Sequence, residues 1–226
     1  MPARRMPEGG AGKASRTRRE AAPAAQASER ERPGVRPVSA RLRLFLALWP
    51  AATTAAALYA RGRRLQEACG GRLMRRDTLH LTLAFLGDVP ADSVMRIEAA
   101  VSGVRGECFA IELDCVGSWH GHRVLWTGTS RTPVSLAKLA DDLAGRLRAA
   151  GFSLEARGFT PHVTLVRNAR SAPVTEAVAG LRWPVDSFVL VSSERLPSGA
   201  HYRVLQRWPL SSSSGGEASS GQGVNG

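Results

Sequence analysis

The stretches LHLTLAFLG, at residues 79–87, and FTPHVTLVR, at residues 159–167, decide the fold predicted for this chain. Each places a histidine and a threonine two positions apart between apolar residues. Because residues i and i+2 of a β-strand share a face, each imidazole lies beside a hydroxyl while the flanking apolar side chains point the other way. The sequence thus predicts two strands, each with a polar and an apolar face. The polar pairs are His80 with Thr82 and His162 with Thr164.

Segments typical of strands alternate with segments typical of helices around these two stretches. Strands are predicted at residues 41–49, 78–86, 109–116, 123–127, 160–166, 187–196 and 201–208. Helices are predicted at residues 50–68, 90–104, 134–150 and 174–181. Because each half of the chain has a helix followed by a strand centred on a histidine, we expect an α+β fold with antiparallel sheets, built as two similar lobes around a central cleft.

Composition bounds the folded part of the chain. With 226 residues, of which 43% are hydrophobic and 22% are charged, the chain suits one domain of fair size or two small ones with a shared core. Residues 1–40 contain almost no large apolar side chain, so they cannot offset the entropy lost on ordering. We therefore expect a disordered basic extension at 1–40, a folded domain at 41–210 and a disordered Ser/Gly-rich tail at 211–226.

Positive charge is in excess over the whole chain. The formal net charge is +12, and residues 1–43 alone carry eleven Lys or Arg against four Asp or Glu. Such an excess favours an anionic partner such as RNA, a nucleotide or phosphate. Nearly all of these cations are arginines, so a bias in the coding DNA is an alternative origin of the excess.

The cysteines and the apolar runs bear on location. Three cysteines without metal-ligand spacing indicate a reduced, cytoplasmic protein. The longest apolar run, residues 44–60, is interrupted by Pro50 and two threonines, so we expect no membrane span. The N-terminal arginines are not followed by the apolar segment of a secretory signal. We also expect a monomer, because an internally duplicated cleft needs no second subunit.

Two imidazoles that face one pocket suit the opening of a cyclic phosphodiester. One group must deprotonate the attacking water and the other must protonate the departing ribose oxygen; histidine titrates near neutral pH, so no metal or other cofactor is needed. His80 and His162 are therefore the candidate catalytic residues. The hydroxyls of Thr82 and Thr164 suit the non-bridging phosphate oxygens. Arg167, at the end of the second strand, either adds a charge-assisted contact to the phosphate or is an exposed strand-end arginine.

With these residues the chain resembles the two-histidine (2H) phosphoesterases, and among them the bacterial and archaeal RNA 2′,3′-cyclic phosphodiesterases, also called 2′-5′ RNA ligases. Besides the two stretches quoted above, the matching segments are RLFLAL at 43–48, RVLWTG at 123–128 and YRVLQRW at 202–208. The resemblance spans about residues 42–210. It implies a bilobal α+β fold in which each lobe contributes one His-x-Thr strand to a central cleft.

The resemblance also implies hydrolysis of a terminal 2′,3′-cyclic phosphate of RNA to a 2′-phosphate. By the same resemblance, His80 is the proton donor to the leaving 3′ oxygen and His162 is the proton acceptor that activates water. Joining RNA ends through a 2′-5′ linkage is the reverse transfer, with an RNA hydroxyl in place of water. Two other functions stay open: a nucleotide- or RNA-binding module without turnover, and a phosphodiesterase for another nucleotide linkage.

Several further residues have two interpretations each. His120 and His122 form a His-x-His pair near a predicted turn, which is either a partial metal site or a solvent-facing pair. The aromatic residues that either stack on a base or pack in the core are Phe45, Trp126 and Tyr202. The arginines that either line a path for the RNA backbone or form a solvated cluster are Arg72, Arg75 and Arg76.

Overall fold

The computed structural model describes residues 40–121, 123–155, 158–173, 178–196 and 199–212. The helices in these ranges are α1 (Ala52–Cys69), α2 (Ser93–Val101) and α3 (Val134–Ala149), and none of them is long and apolar enough to cross a membrane. The strands are β1 (Arg41–Leu48), β2 (Arg72–Leu73), β3 (Leu81–Pro90), β4 (Phe109–Leu113), β5 (Cys115–Trp119), β6 (Val124–Gly128), β7 (His162–Arg167), β8 (Leu181–Val185), β9 (Ser187–Leu196) and β10 (Gly199–Pro209). The predicted α+β class is confirmed, whereas the division into two similar lobes stays a prediction.

Both predicted terminal segments fall almost wholly outside the described residues, so their disorder stays a prediction. At the C-terminal side, the ordered backbone continues to Ser211. The amide of Ser211 donates to the carbonyl of Gly106 at 2.8 Å, and its carbonyl accepts from the amide of Cys108 at 2.7 Å. These bonds attach the end of the domain to the segment that leads into β4.

The strands pair in antiparallel fashion. Eight of them form one sheet in the order β10-β9-β1-β3-β7-β6-β5, with β2 also paired to β7. Strands β4 and β8 form a separate two-stranded sheet. The sheet order places β3 and β7, which carry the two His-x-Thr motifs, next to each other in the larger sheet although they are far apart along the chain.

One pairing aligns the two motifs. Strands β3 and β7 meet at Leu81 and Val163, which are the residues that directly follow the two histidines. Because the strands are antiparallel, the residues before and after this pair also oppose one another. The resulting opposed pairs are His80 with Thr164 and Thr82 with His162. Leu81 and Val163 are fully buried, so the four polar side chains share the opposite face of the sheet.

The helices cover the apolar face. Helix α1 packs against β7, while α2 and α3 pack against β3 and each other. The contact of α1 is close at Gly62, where a Cβ atom would lie 2.9 Å from Cδ1 of Leu73 and 3.5 Å from Cβ of Leu165. The leucines of α3 that recur at helical spacing are all buried: Leu136, Leu139, Leu143 and Leu147. With the apolar face covered, the polar face of β3 and β7 is the one left open.

A buried arginine links α1 to the strands. The guanidinium of Arg61 donates to the carbonyls of Leu113 at 2.7 Å and Ala179 at 2.5 Å, and to the hydroxyl of Thr127 at 2.8 Å. Burial lowers the pKa of Arg61, and the three acceptors offset the loss of water around its charge. This contact supports β6, the strand beside β7, from the helix side.

One predicted element is wrong, and a second is wrong in its described part. The strand predicted at 109–116 is divided at Asp114 into β4 and β5, which lie in different sheets. The predicted short helix falls partly on residues 174–177, which lie outside the described residues, but Leu181 at its predicted end begins strand β8. A short apolar segment after a turn is compatible with either element, and here the pairing with β4 decides it.

The first motif strand begins later than predicted. Thr78 belongs to a 3₁₀ turn, Arg76–Thr78, and β3 starts only at Leu81, so His80 lies just before the strand. The alternation of burial nevertheless continues across it, because Leu79 is buried while His80 is only partly so. The predicted orientation of the motif is therefore confirmed even though its first half is not in a strand.

Candidate active site

The two motifs line one cavity of about 220 Å³ on the polar face of the sheet. All five site residues chosen from the sequence reach it: His80, Thr82, His162, Thr164 and Arg167. The other residues that line the cavity are Arg43, Phe45, Met74, Thr78, Phe85, Ser193 and Tyr202. Because these side chains come from β1, β3, β7, β9, β10 and the turn before β3, the cavity exists only once the sheet has formed.

Both imidazoles are held by the same hydrogen bond. Nδ1 of His80 donates to the carbonyl of Thr78 at 2.8 Å, and Nδ1 of His162 donates to the carbonyl of Thr160 at 2.8 Å. A carbonyl oxygen only accepts, so each neutral ring carries its proton on Nδ1 and leaves Nε2 free. The two rings therefore have the same tautomer and the same free nitrogen.

Three aromatic rings surround His80. The indole of Trp49 stacks on it with an interplanar angle of 7° and a centroid separation of 5.6 Å. Phe45 lies at 4.8 Å, and Tyr202 meets it edge-on at 5.2 Å. Phe45 also belongs to a small apolar cluster that supports this side of the cavity, with Ala47, Val189 and Val191. The imidazole is thus shielded from water by apolar groups.

His162 has a more open environment. Trp119 meets it edge-on at 4.3 Å, with an interplanar angle of 80°. On the same side lies a wider cavity of about 920 Å³, lined by His162, Trp119 and Phe159 together with residues of β3 and α3. This imidazole therefore lies between the small cavity and the wide one.

Burial lowers the pKa of both imidazoles. That of His80 falls to about 4, chiefly because the ring is desolvated; the nearby His162 and Arg167 lower it further, while the hydrogen bond to Thr78 opposes the change. Desolvation is also the main cause for His162, with Arg167 adding to it. Both rings are therefore neutral at neutral pH in the protein alone.

The motif threonines have unsatisfied hydroxyls. Within the part of the chain that the structure describes, the hydroxyls of Thr82 and Thr164 form no hydrogen bond, although both side chains are partly buried. Thr127 offers a contrast, because its buried hydroxyl donates to the carbonyl of Cys115 at 2.9 Å. A partly buried hydroxyl without a protein partner is available to a ligand that supplies an acceptor.

Two arginines bring positive charge to the cavity. Arg167 is exposed, at the end of β7. The guanidinium of Arg43 lies 4.5 Å above the ring of Phe85 and 3.5 Å from the carboxylate of Asp88. Sequence analysis missed Arg43, although the period of two along β1 places it on the same face as Phe45. An oxyanion in this cavity would lie within reach of two guanidinium groups.

Two of the three aromatic residues chosen from the sequence lie at the site. Phe45 and Tyr202 line the cavity. Trp126 does not; it packs against Trp119 at 5.1 Å. Sequence analysis missed Trp119 and Trp49, the two indoles that contact the histidines. No local pattern marks them, because each meets its histidine through tertiary packing.

The other candidate arginines and histidines from the sequence lie in different places in the structure. Arg72 and Arg75 line a second cavity beside the first, whereas Arg76 donates to the first carbonyl of α1 at 2.6 Å. His120 lies on the wide cavity, and His122 is outside the described residues. Among the described residues, no group of three or more His, Cys, Asp or Glu side chains is arranged to hold a metal ion.

Comparison with known proteins identifies relatives over most of the folded part of the chain. The family model of LigT-like phosphoesterases matches residues 48–126 and 129–202. The RNA 2′,3′-cyclic phosphodiesterase of Escherichia coli is 37% identical over 142 residues, which are 62% of this chain and 80% of that protein. The RNA 2′,3′-cyclic phosphodiesterase of Thermus thermophilus is 30% identical over 196 residues, or 80% of this chain and 97% of that protein.

Solved structures resemble the fold as well. The crystal structure of Escherichia coli LigT complexed with 3′-AMP has a TM-score of 0.69 and 31% sequence identity, and covers 76% of this chain and 99% of that one. The crystal structure of TT0787 of Thermus thermophilus has a TM-score of 0.65 and 28% identity, with 76% and 99% coverage. Nearly the whole of each of these chains therefore corresponds to the folded part of this one.

Proposed function

Because this chain belongs to the LigT-like phosphoesterase family, we propose that it hydrolyses the terminal 2′,3′-cyclic phosphate of RNA to a 2′-phosphate. One observation carries the proposal: two imidazoles with the same free nitrogen share a cavity with two threonine hydroxyls that have no partner among the described residues. Opening a cyclic phosphodiester requires one proton to be removed and another to be donated. The two histidines are groups suited to both transfers.

In the proposed reaction His162 acts as the base and His80 as the acid. Nε2 of His162 accepts a proton from water while the water oxygen forms its bond to phosphorus. The bond from phosphorus to the 3′ oxygen breaks, and Nε2–H of His80 passes its proton to that oxygen. The product has a 2′-phosphate and a free 3′-hydroxyl, and proton exchange with solvent restores both histidines.

The charge of the substrate is needed for this division of roles. The pKa of His80 in the protein alone is about 4, so the acid is unprotonated at neutral pH. A phosphodiester anion beside the ring favours its charged form and raises its pKa. Two adjacent imidazoles do not both hold a proton easily, because like charges repel, so we infer that the bound anion retains one proton on the pair.

Neutral and charged donors stabilise the phosphate in this proposal. The hydroxyls of Thr82 and Thr164 donate to its non-bridging oxygens, and Arg167 and Arg43 compensate their negative charge. A cluster of such donors supplies the stabilisation of charge that a metal ion supplies in other phosphodiesterases. We therefore propose that the reaction is independent of metal, and that the reverse reaction with an RNA hydroxyl would use the same groups.

One chain is sufficient for this site, since all of the proposed residues belong to it, and we infer a monomer. The three cysteines, Cys69, Cys108 and Cys115, are all unpaired. Unpaired thiols are typical of proteins in the reducing cytoplasm, which is the location that we propose.

The proposal is tested with an RNA oligonucleotide that ends in a 2′,3′-cyclic phosphate, with a chelator present. The intact protein should form the 2′-phosphate. His80→Ala and His162→Ala should each lower kcat by roughly 10²–10⁴-fold, the usual contribution of a general acid or base. His201→Ala is the matched control, because His201 is exposed and lines neither the histidine cavity nor the cavity beside it. Its rate should stay within about twofold of the intact protein.

Four results would contradict parts of the proposal. If His80→Ala or His162→Ala lowers kcat by less than tenfold, that histidine does not have the proposed catalytic role. A product with a 3′-phosphate shows that the other ester bond is cleaved. Tight binding of the same RNA without turnover identifies a binding module, and loss of turnover on adding the chelator shows that a metal is required.

A further inference from the structure

A second cavity, of about 320 Å³, adjoins the histidine cavity. The residues that line both are Arg43, Met74, Thr78, Arg167, Ser193 and Tyr202. Five arginines line the second cavity, and we call it the basic groove: Arg43, Arg72, Arg75, Arg167 and Arg195. None of the described residues that line it is acidic. The groove therefore extends the histidine cavity in one direction with concentrated positive charge.

The strand pairing holds two of these arginines together. Arg72 of β2 lies directly opposite Arg167 of β7 in the antiparallel register. Like charges directly opposite each other on paired strands repel. Neither guanidinium forms an ion pair with any described residue, and neither does Arg195. An anion between these groups would remove the repulsion.

The other two arginines are partly neutralised. Arg75 donates to the carboxylate of Asp77, and Arg43 lies near that of Asp88. The charge available to a ligand thus comes mainly from Arg72, Arg167 and Arg195. These three belong to different strands, β2, β7 and β9, so their convergence is produced by the fold and not by a basic run in the sequence.

We propose that the basic groove binds the phosphate on the 5′ side of the terminal ribose. This inference rests on the proposed function. With the cyclic phosphate between the histidines, the next phosphate of the strand is one ribose away, attached through the 5′ oxygen. Arg43 and Arg167 line both cavities, so a strand that leaves the histidines past them enters the basic groove. Guanidinium groups bind phosphate through paired hydrogen bonds, which suits this site.

The consequence is a preference among substrates with the same reacting group. A nucleoside 2′,3′-cyclic phosphate with a free 5′-hydroxyl fills the histidine cavity alone. The same molecule with a 5′-phosphate, or a dinucleotide with an internal phosphodiester, also fills the groove. The first comparison isolates the phosphate, and the second adds the nucleoside that a strand would bring.

The experiment measures kcat/KM for adenosine 2′,3′-cyclic phosphate, its 5′-phosphorylated form and the corresponding adenosine dinucleotide with a cyclic end. For the intact protein we expect kcat/KM to be at least about tenfold higher for the 5′-phosphorylated form and for the dinucleotide than for adenosine 2′,3′-cyclic phosphate. A hydrogen bond to a charged group provides a factor of this size, and it should act mainly by lowering KM. Arg72→Gln combined with Arg195→Gln should abolish most of this gain. On the substrate without a 5′-phosphate the double variant should stay within about twofold, since both residues lie outside the histidine cavity.

A matched control is Arg203→Gln, which removes one positive charge from an exposed site on β10 that lines neither cavity. This variant should keep the increase of kcat/KM that the phosphate on the 5′ oxygen produces. Arg72 and Arg195 are both exposed, so the variants should fold, which thermal unfolding checks. Replacing both by lysine keeps the charge but not the paired geometry, and should retain only part of the gain.

The outcomes separate the groove from the reaction. If the intact protein hydrolyses all three substrates equally well, the groove proposal is wrong and the proposed function stands. Equal losses of kcat/KM on all three substrates in the double variant also overturn the groove proposal. It is likewise overturned if only the dinucleotide has a raised kcat/KM and the double variant keeps that increase. If no cyclic substrate is hydrolysed, the proposed function fails. Binding of adenosine 5′-phosphate to the same variants then decides the groove, which is supported by weaker binding in the double variant and overturned by unchanged binding.

Discussion

The two histidines have the same motif and the same backbone hydrogen bond, but their surroundings differ. His80 is enclosed by the rings of Phe45, Trp49 and Tyr202, and its pKa falls to about 4. His162 contacts Trp119 and opens onto the wide cavity, and burial lowers its pKa less strongly. Environment rather than residue type separates an acid from a base when both are the same side chain. The surroundings therefore make the two rings different, but the lower pKa of His80 disfavours its protonated form, so the proposed role of His80 as the acid depends on the charge of the bound phosphate.

The largest effect expected is a difference between the two histidine variants that depends on the leaving group. An aryl phosphodiester releases a phenolate that is stable without a proton, so it does not need the acid. His80→Ala should lower kcat by roughly 10²–10⁴-fold for the cyclic RNA end but by less than tenfold for the aryl ester. His162→Ala should lower kcat by similar factors for the two substrates, because both reactions need the base. The measurement is kcat for both substrates in both variants.

The reverse pattern has a definite meaning. If His162→Ala is the variant rescued by the aryl ester, His162 is the acid and the two roles are exchanged. If neither variant is rescued, proton donation to the leaving oxygen contributes little, and the comparison of environments does not explain catalysis. His201→Ala again serves as the control, with both rates close to those of the intact protein.

A smaller effect is expected from the threonines that oppose the histidines. Thr82→Val and Thr164→Val keep the shape of the side chain and remove the hydroxyl. A hydrogen bond to a charged group contributes about 1.5–3 kcal/mol, so each variant should lose roughly 10- to 100-fold in kcat/KM. The ratio of the two losses reports how evenly the phosphate lies between the motifs. A loss below about threefold in both variants would show that the hydroxyls do not contact the phosphate.

The smallest effect concerns the protonation of the two rings. NMR titration of the free protein should give a lower midpoint for His80, near 4, than for His162. A non-hydrolysable phosphodiester should raise the midpoint of His80 by about one unit or more, because its charge favours the imidazolium. By linkage, the affinity for the anion rises as the pH falls from the midpoint of His80 in the complex towards its lower midpoint in the free protein. Below that second midpoint the affinity is constant. A midpoint of His80 that the anion leaves unchanged would contradict the proposed protonation.

Much of the fold was predictable from local patterns. The period of two at residues 79–83 and 162–165 predicted which side chains would be buried, and the leucines of α3 predicted its buried face. Strand β8 was not predictable, because its identity comes from pairing with β4. The division at Asp114 was missed for the same reason: adjacent segments join different sheets, and a single aspartate between two apolar segments is only a weak turn signal.

The candidate site was partly predictable. The five residues chosen from the motifs all line one cavity, since a repeated His-x-Thr on two strands constrains both residue type and face. Arg43, Trp49 and Trp119 were missed. Each reaches its place through strand order or through packing between segments that are distant in the chain, and a single sequence does not display such contacts.

The sequence by itself determined the two polar strand faces, the apolar faces behind them and the residue types available for proton transfer. These follow from local geometry, because alternation along a strand depends only on the backbone. Tertiary structure decided that β3 and β7 pair at Leu81 and Val163, which aligns each histidine with the threonine of the other motif. It also decided the unequal burial of the two rings and the convergence of arginines in the basic groove. Desolvation and charge at a point depend on every segment that packs around it, and those segments come together only in the folded chain.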